Sequence, residues 1–573
     1  MQSSTEEVCP WWGKIGLIWL ILIPLAMAIY VLAQPLAPND LWYHLRAGEW
    51  MVAHRSFPRV AMFTTSVPAA TPYFYQSWIA EIVMYLTLKW SGLAGSQILR
   101  AICFTSAIAI FIVAAQRRAK VLLTAPGVDA FNIAARRVVL IGLFALYMSI
   151  PNLDLRPQAF SLPLFALFCI LIFSWSQYTK RQLLSGAISL VVLMAIWANT
   201  HGAFATGLIL LFLFCVGETI QFFFGKRWFA YLGNSLNKEQ LKIAWCAFAG
   251  CAIAACINPR GWAIYGYVRE LTNNVINIKY NQEWQPPTWS DSSNAVFFCC
   301  GIALALMLIL IAERYRNKKS QADNLPGEPE STFGAQGMRS GEILILAAFF
   351  VMGLRNVRSI LWFALLFLIA GSALLCRILT AKPQSVLPPI PSSMQRMNVV
   401  LALFTCSLAI PFLPALKPSL PWPKSYTKRF LPVGAMHASD EFKNVPAMML
   451  SRDTPVAAAA FLRQHPPKGL LWNDMVFGSY LVWALDPNRG PWADPRIELR
   501  PDAFWETYLK TCHAENNPDI TLARKGFSDV LINKEATNEN KLLKSLSASP
   551  HWKIAYQDKM SVIFNYATTG AKK

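Results

Sequence analysis

The stretch IGLIWLILIPLAMAIYVLAQPLAPNDLWYH, residues 15–44, decides how the chain is read. From Ile15 to Ala33 it carries no charge, and about 20 apolar residues suffice for a helix to cross a bilayer. Pro35 and Pro38 then discourage further helix, so Asp40 falls where the chain leaves the membrane. A carboxylate at that level costs far less than one at mid-depth. Asn39 or Asp40 is placed to cap a helix over Leu41–Val52. Asp40 and His44, four residues apart, share one face of it.

Working outward, 55% of the 573 residues are hydrophobic and 15% charged, with mean hydropathy +0.36. Soluble domains carry about a quarter charged residues, so the composition is that of a membrane protein. The net charge of +20 raises nucleic-acid binding. The basic residues instead collect at alternate ends of apolar runs, which predicts membrane sidedness and no nucleic-acid partner. Of twelve cysteines, only Cys512 lies beyond residue 407. Most of the others sit in apolar runs as small buried hydrophobes, and no Cys/His spacing is of metal type.

Apolar runs of spanning length predict about eleven membrane helices, near 14–34, 96–115, 136–150, 159–177, 183–199, 203–223, 241–257, 295–312, 341–354, 359–379 and 397–415. The first run is too long for a simple secretory signal. Five connectors hold the basic clusters: Arg117-Arg118 with Arg136-Arg137, Lys180-Arg181, Lys226-Arg227 with Lys238 and Lys242, Arg314 and Arg316 with Lys318-Lys319, and Arg377 with Lys382. Their agreement predicts a cytoplasmic N-terminus and an extracytoplasmic C-terminus. The first outer loop, 35–95, contains an amphipathic stretch from Trp78 to Lys89, ended by Ser91-Gly92, that suits a helix lying along the membrane surface. The expected organisation is a polytopic α-helical membrane domain over 1–415, a Pro-rich linker over 416–450, and a soluble α/β domain over 451–573. In the last, extended signals at Gly469–Trp472, Trp492–Ala493 and Asp529–Asn533 alternate with helical ones at Ala457–Arg463, Phe477–Leu485, Phe504–Thr511 and Glu539–Leu546. A hairpin is expected at Trp552–Tyr556 and Val562–Tyr566.

The candidate chemistry lies at the outer ends. Arg156, Arg260, Arg355 and Arg358, with Arg100 at the outer start of the second span, stand on the side where topology asks for no cations. They either snorkel to headgroups or converge on an anion, whose phosphate oxygens the guanidinium fork fits. Asp40 either caps its helix or removes a proton from an acceptor hydroxyl, with His44 orienting that hydroxyl or holding a metal or phosphate. His201, in an outer turn, either makes an ordinary hydrogen bond or lines the site. Glu283 with Trp284 suits a sugar, by hydrogen bonds and stacking, and equally suits an interfacial anchor. Asp154 is placed to neutralise Arg156. In the tail, Asp474 and Asp494 follow extended segments but lack a nucleophile–base pair, which favours binding or packing there.

The order of features resembles membrane glycosyltransferases of the GT-C class, which use polyprenyl-phosphate sugars. An acid follows the first span (Asp40), a surface helix follows (Trp78–Lys89), an arginine enters the next span (Arg100), and an external domain closes the chain. Asp40-Leu-Trp-Tyr-His44, Gln76-Ser-Trp78, Arg156-Pro-Gln158, Trp197-Ala-Asn-Thr-His-Gly202, Asn258-Pro-Arg-Gly-Trp262 and Glu283-Trp284 are similar to a bacterial branch grouped with that class. The resemblance implies a polyprenyl-phosphate-linked sugar donor and a glycan, lipid or protein acceptor on the outer face. It implies Asp40 as general base, acting with His44, and Arg100, Arg156, Arg260, Arg355 and Arg358 on the donor phosphate. His201, Glu283, Trp284 and Trp78 would contact substrate, and a divalent cation is an open option. Class members often pair two acids where this chain has Asn39 and Asp40. Transfer would be a direct, inverting displacement, since one base without a carboxylate nucleophile favours inversion. Two other readings stand beside it: an inactive scaffold on the same frame, favoured by Asn39, and a transporter or flippase of lipid-linked sugars, which calls for ionisable groups at mid-membrane depth.

Overall fold

The computed structural model describes residues 11–122, 130–228, 235–322, 338–379, 391–515, 517–536 and 540–567. Lys382 and Glu539, used above, lie outside the described residues. The chain is mostly helical, with one small sheet in its C-terminal part. Helices occupy all eleven positions read as spans: α1 Gly16–Ala33, α3 Trp78–Val121, α4 Ala130–Ser149, α5 Pro157–Phe173, α6 Lys180–Ala198, α7 Phe204–Trp228, α8 Lys238–Ala254, α11 Ser292–Ala322, α12 Ser340–Arg355, α13 Ile360–Ile378 and α14 Ser392–Ser407. Between them lie α2 Leu41–His54 and the short α9 Ala263–Asn273 and α10 Val275–Tyr280. Among the described residues, eight helical segments are long and apolar enough to cross a membrane. α5 has 17 residues, α8 17 and α12 16, so these three are at or below the usual lower limit of about 17, whereas α14 reaches spanning length with the turn that continues it to Phe412.

α13 is apolar on every side and nearly every residue of it is buried, as an all-hydrophobic helix at the centre of a bundle must be. The basic connectors meet at one end of the bundle. There Arg118 holds Glu342 at 2.8 Å, Arg314 donates to the Ile378 carbonyl at 2.7 Å, and Arg137 to that of Cys376 at 3.3 Å.

The opposite end carries the first loop and the C-terminal part. α3 is broken at Gly92, whose φ of 60° and ψ of −161° belong to a region open essentially to glycine alone. The break separates the amphipathic segment beginning at Trp78 from the spanning one. α2 packs on that segment so closely that a Cβ on Gly48 would lie 2.2 Å from the Glu81 carbonyl oxygen.

Residues 416–450, expected as a linker, are folded against the bundle. Lys417 is fully buried and donates to the Leu32 carbonyl at 2.9 Å and to Gln97 Oε1 at 3.2 Å. Burial pulls its ammonium down to about 7. Trp42 and Leu45 of α2 share a core with Phe442, Met449 and Leu450 and with Tyr480 and Leu481 of the helix Met475–Ala484. Trp42 meets Tyr480 edge-on at 5.0 Å.

The sheet runs β1 Leu470–Asn473, β2 Phe527–Asn533, β4 Ser561–Tyr566, β3 Trp552–Gln557 in spatial order. β1 and β2 are parallel, and the β3–β4 hairpin is antiparallel as expected. Trp492–Ala493, expected to be extended, joins no strand. The Asn473 side chain clasps it instead, accepting from Trp492 N at 2.8 Å and donating to the Ala493 carbonyl at 2.7 Å; a side chain that copies the ladder's bonds makes a further strand unnecessary.

A buried ion trio fastens this part to the first loop. Asp494 receives Arg496 at 2.8 Å and Arg500 at 2.8 Å, and all three side chains are almost inaccessible. Arg496 also donates to the Met62 carbonyl at 3.0 Å and Tyr75 Oη at 3.2 Å, and Arg500 to Ser66 Oγ at 2.6 Å. Burial alone would raise the Asp494 carboxyl, but the two guanidiniums hold it far below the usual carboxylate range. A depressed folded value contributes stability above the ordinary carboxyl pKa and loses it only as pH falls towards the folded one. Asp494→Asn leaves two buried cations short of an anion and is expected to cost about 3–5 kcal/mol. The thermal midpoint of the detergent-solubilised chain measures this, and an unchanged midpoint would remove the trio from the fold's main supports.

Candidate functional site

Asp40 stands at the N-cap position of α2 but makes no capping bond. The Tyr43 N–H at that helix start donates instead to Ser479 Oγ, from the C-terminal part, at 3.3 Å. Relieved of that duty, the Asp40 carboxylate faces Arg156, with Oδ2 and Nη1 3.6 Å apart. Arg156 immediately precedes α5, whose Pro157 occupies the first helical position. Its other nitrogen, Nη2, donates to both oxygens of Glu283, at 2.8 and 2.9 Å. Burial opposes the Arg156 charge, but Glu283 and then Asp40 outweigh it and raise the guanidinium above its ordinary value. Glu283 is likewise pushed up by burial and brought down further by Arg156 and Arg358. Both carboxylates keep about a quarter of their side-chain surface open, 26% and 28%, so the group is accessible.

The turn Gln282–Trp284 is pinned to the α12–α13 connection by the Val357 N–H, which donates to the Gln285 carbonyl at 3.0 Å. That brings the Arg358 guanidinium to 5.6 Å from the centre of the Trp284 ring, a cation–π distance.

His44, one turn beyond Asp40, turns towards α3. Its Nδ1 lies 2.7 Å from Glu81 Oε1, and both side chains are largely buried. Such a carboxylate fixes the imidazole tautomer with the proton on Nδ1, which leaves Nε2 able to accept. Glu81 Oε2 is buried without a hydrogen-bond partner. Glu81 was legible only as an acid within an apolar surface helix; nothing in sequence spacing links position 81 to position 44.

His201 sits in the α6–α7 turn. Its Nδ1 accepts from the Ala203 N–H at 3.1 Å and lies 3.2 Å from Ser161 Oγ, and Trp197 Nε1 donates to the same hydroxyl at 2.9 Å. Trp78 reaches this turn too, donating to Asn199 Oδ1 at 2.6 Å, while Gln76 Nε2 donates to the Ala198 carbonyl at 3.2 Å. Trp78 is therefore a strut for the turn. Burial, and then the charges of Arg358 and Arg156, pull His201 well below its ordinary value. Asp40 and Glu283 meet at Arg156, and Arg358 and His201 lie near enough for their charges and that of Arg156 to act on one another.

The remaining arginines lie elsewhere. Arg260 stacks on Tyr267 at 4.0 Å and Phe74 at 4.9 Å, at the margin of the group, since its charge and that of Arg358 both act on Tyr267. Arg355 is exposed at the end of α12 and shares none of the contacts described here. Arg100 is buried away from the group, donating to the carbonyls of Val31, Gln34 and Pro35 at 2.7, 2.6 and 2.9 Å; the free carbonyls ending α1 attract it. Asp154 accepts from Asn39 at 2.9 Å.

Among the described residues no group of three or more His, Cys, Asp and Glu side chains is placed to hold a metal ion. Asp40 and Glu283 are bridged by the Arg156 guanidinium. The C-terminal part closes the site from above: Glu498 Oε1 accepts from Tyr73 Oη at 2.8 Å, and Arg496 lies 5.7 Å from the Tyr43 ring. Burial raises the Tyr43 and Tyr73 phenols well above their ordinary range, so this wall offers neutral hydroxyls.

A histidine with a lowered folded pKa destabilises the fold once acid protonates the unfolded chain. Below about pH 6.5 stability should therefore fall with pH, by at most about 1.4 kcal/mol per unit for this one group. His201→Gln should flatten that slope in melts recorded between about pH 5 and pH 7, the range in which an ordinary histidine titrates; an identical slope would place the titration elsewhere.

No protein-family model matches the chain, and no curated protein matches it. Among solved structures, the chain is similar to the crystal structure of ArnT from Cupriavidus metallidurans bound to undecaprenyl phosphate, at 12% identity, TM-score 0.43, over 96% of this chain and 98% of that one.

Proposed function

We propose that the chain is a multi-pass membrane glycosyltransferase that moves a sugar from a polyprenyl-phosphate donor to an acceptor on the outer face of a bacterial inner membrane. The observation that carries the proposal is Arg156 held between Asp40 and Glu283 with Arg358 beside them. These side chains come from four separate connections at one end of the bundle.

The division of labour follows from distances. Glu283 binds Arg156 within hydrogen-bonding range, whereas Asp40 stands 3.6 Å away, beyond a direct bond. Asp40 is the carboxylate free to take a proton. Arg156 and Arg358 present guanidiniums to the donor phosphate, and stabilising charge as it develops on a leaving group is usually the largest catalytic contribution. In the step itself the acceptor hydroxyl gives its proton to Asp40 while its oxygen bonds the anomeric carbon. The bond from that carbon to the phosphate oxygen breaks, and the polyprenyl phosphate leaves with the electron pair. Attack opposite the leaving group inverts the centre. His201, neutral, and the stacked Trp284 contact the sugar.

The bond between His44 and Glu81 supports a second assignment of the base, in which His44 Nε2 takes the proton. Single variants separate the two. Asp40→Asn should lower transfer by about 10²–10⁴-fold, the usual contribution of a general base, with expression retained because Glu283 still holds Arg156. Mass spectrometry of lipid-linked sugars and surface glycans reads the outcome. Full transfer by Asp40→Asn with loss in His44→Gln moves the base to His44, and full transfer by both sinks the mechanism. Identical glycans with and without the gene would favour the inactive scaffold.

A further inference from the structure

Beside the Asp40–Arg156 group, and outside its chemistry, lies a cavity of about 520 Å³, within the range of small-molecule sites. It opens where α1 ends and is closed by residues 150–154 and by the segments 425–429 and 451–453. A crevice of about 10 Å³, lined by Asn39, Asp40, Asp154 and Arg156, adjoins it through shared walls at Ala37 and Asp154. That is room for one water, so the two sites are neighbours but separate.

Four cations line the cavity, Arg100, Lys428, Arg429 and Arg452, against two carboxylates, Asp154 and Asp453. Their engagements are unequal. Arg452 is paired with Glu535 at 3.0 Å and lies 3.7 Å from Asp453. The Arg429 guanidinium donates only to the neutral Gln34 side chain among its described bonds. Arg100, 1% exposed, spends its terminal nitrogens on three carbonyls, and its Nε is buried without a partner. Lys428 is exposed and enters none of the described ion pairs. Three positive charges thus face one hollow without a carboxylate in contact. Such an arrangement is stable only if an anion or bulk water supplies the missing field.

The other wall is apolar, made by Tyr30, Ile150, Pro151 and Leu153. Tyr30 lies in the last turn of α1, and Ile150 and Pro151 end the apolar segment Ala130–Asn152. The cavity therefore sits beside the ends of spanning helices, with its cations and its apolar residues on different stretches of the wall. We infer that this cavity binds a phosphate-bearing headgroup, with Arg100, Lys428 and Arg429 on the phosphate and Tyr30, Ile150 and Pro151 along the start of an acyl chain. Phosphate is the shared chemistry, and a membrane phospholipid is the source that the apolar wall favours.

The test uses the full chain purified in a neutral detergent. Native mass spectrometry measures retention of dioleoylphosphatidylglycerol against dioleoylglycerol, which has the same chains and no phosphate. The wild type should retain the phospholipid preferentially, and Lys428→Glu with Arg429→Glu should lower that retention about tenfold or more, as each basic side chain near a lipid phosphate contributes comparably. Millimolar inorganic phosphate distinguishes the sources: failure to compete supports the lipid, and full competition supports a soluble phosphate in the same cavity. Equal retention of the two lipids, or a double variant that retains phosphatidylglycerol like the wild type, overturns the inference. Should charge reversal prevent folding, Lys428→Gln with Arg429→Gln gives the same comparison.

Discussion

A guanidinium taken out of water needs anions close by, and Arg156 finds two. Its side chain is only 9% exposed, and breaking a buried pair leaves an uncompensated charge. Asp40 and Glu283, 243 positions apart by numbering, are drawn to it from different connections. Satisfying this one cation fixes where the first loop, the start of α5 and the 282–284 turn meet. Arg358 adds a second cation beside the first, with Trp284 beneath it. Two cations and two carboxylates thus balance one another in a half-open setting.

That arrangement depends on a lid made by distant sequence. Ser479 takes over the capping of α2, which releases Asp40 from the role its position suggests. Trp42 and Tyr480 lock the same helix from its other face. The Asp494 trio anchors residues 62–75 through Arg496 and Arg500, and the loop so anchored carries the tyrosines walling the site. The C-terminal part is thus structurally continuous with the first loop. Its Asp494, Arg496 and Arg500 hold that loop in place.

Two turns that read as short motifs prove to be halves of one joint. Gln76 and Trp78 bond the 198–199 backbone and side chain, and Trp197, Ser161 and His201 form a short relay of hydrogen bonds beneath them. Trp78 and Trp197 were legible as aromatic residues at helix ends, but their indole N–H groups select partners that no local pattern reveals. The same holds for Arg100. Its place at the start of a span suggested a substrate contact, yet the unsatisfied carbonyls ending α1 are nearer and demand a donor.

The helical positions, the break at Gly92, the hairpin near Asp558 and the gathering of basic connectors could all be read from hydropathy, turn chemistry and charge. These are local properties, set by the cost of exposing apolar groups or burying charged ones within a few turns of chain. Which arginines share a site could not be read that way, because Arg100, Arg156, Arg260, Arg355 and Arg358 look alike in sequence and differ only in what surrounds them. Nor could the pairing of His44 with Glu81, or the folding of 416–450 onto the bundle. Those outcomes rest on contacts between segments far apart in the chain, where packing and the need to neutralise each buried charge decide the partner.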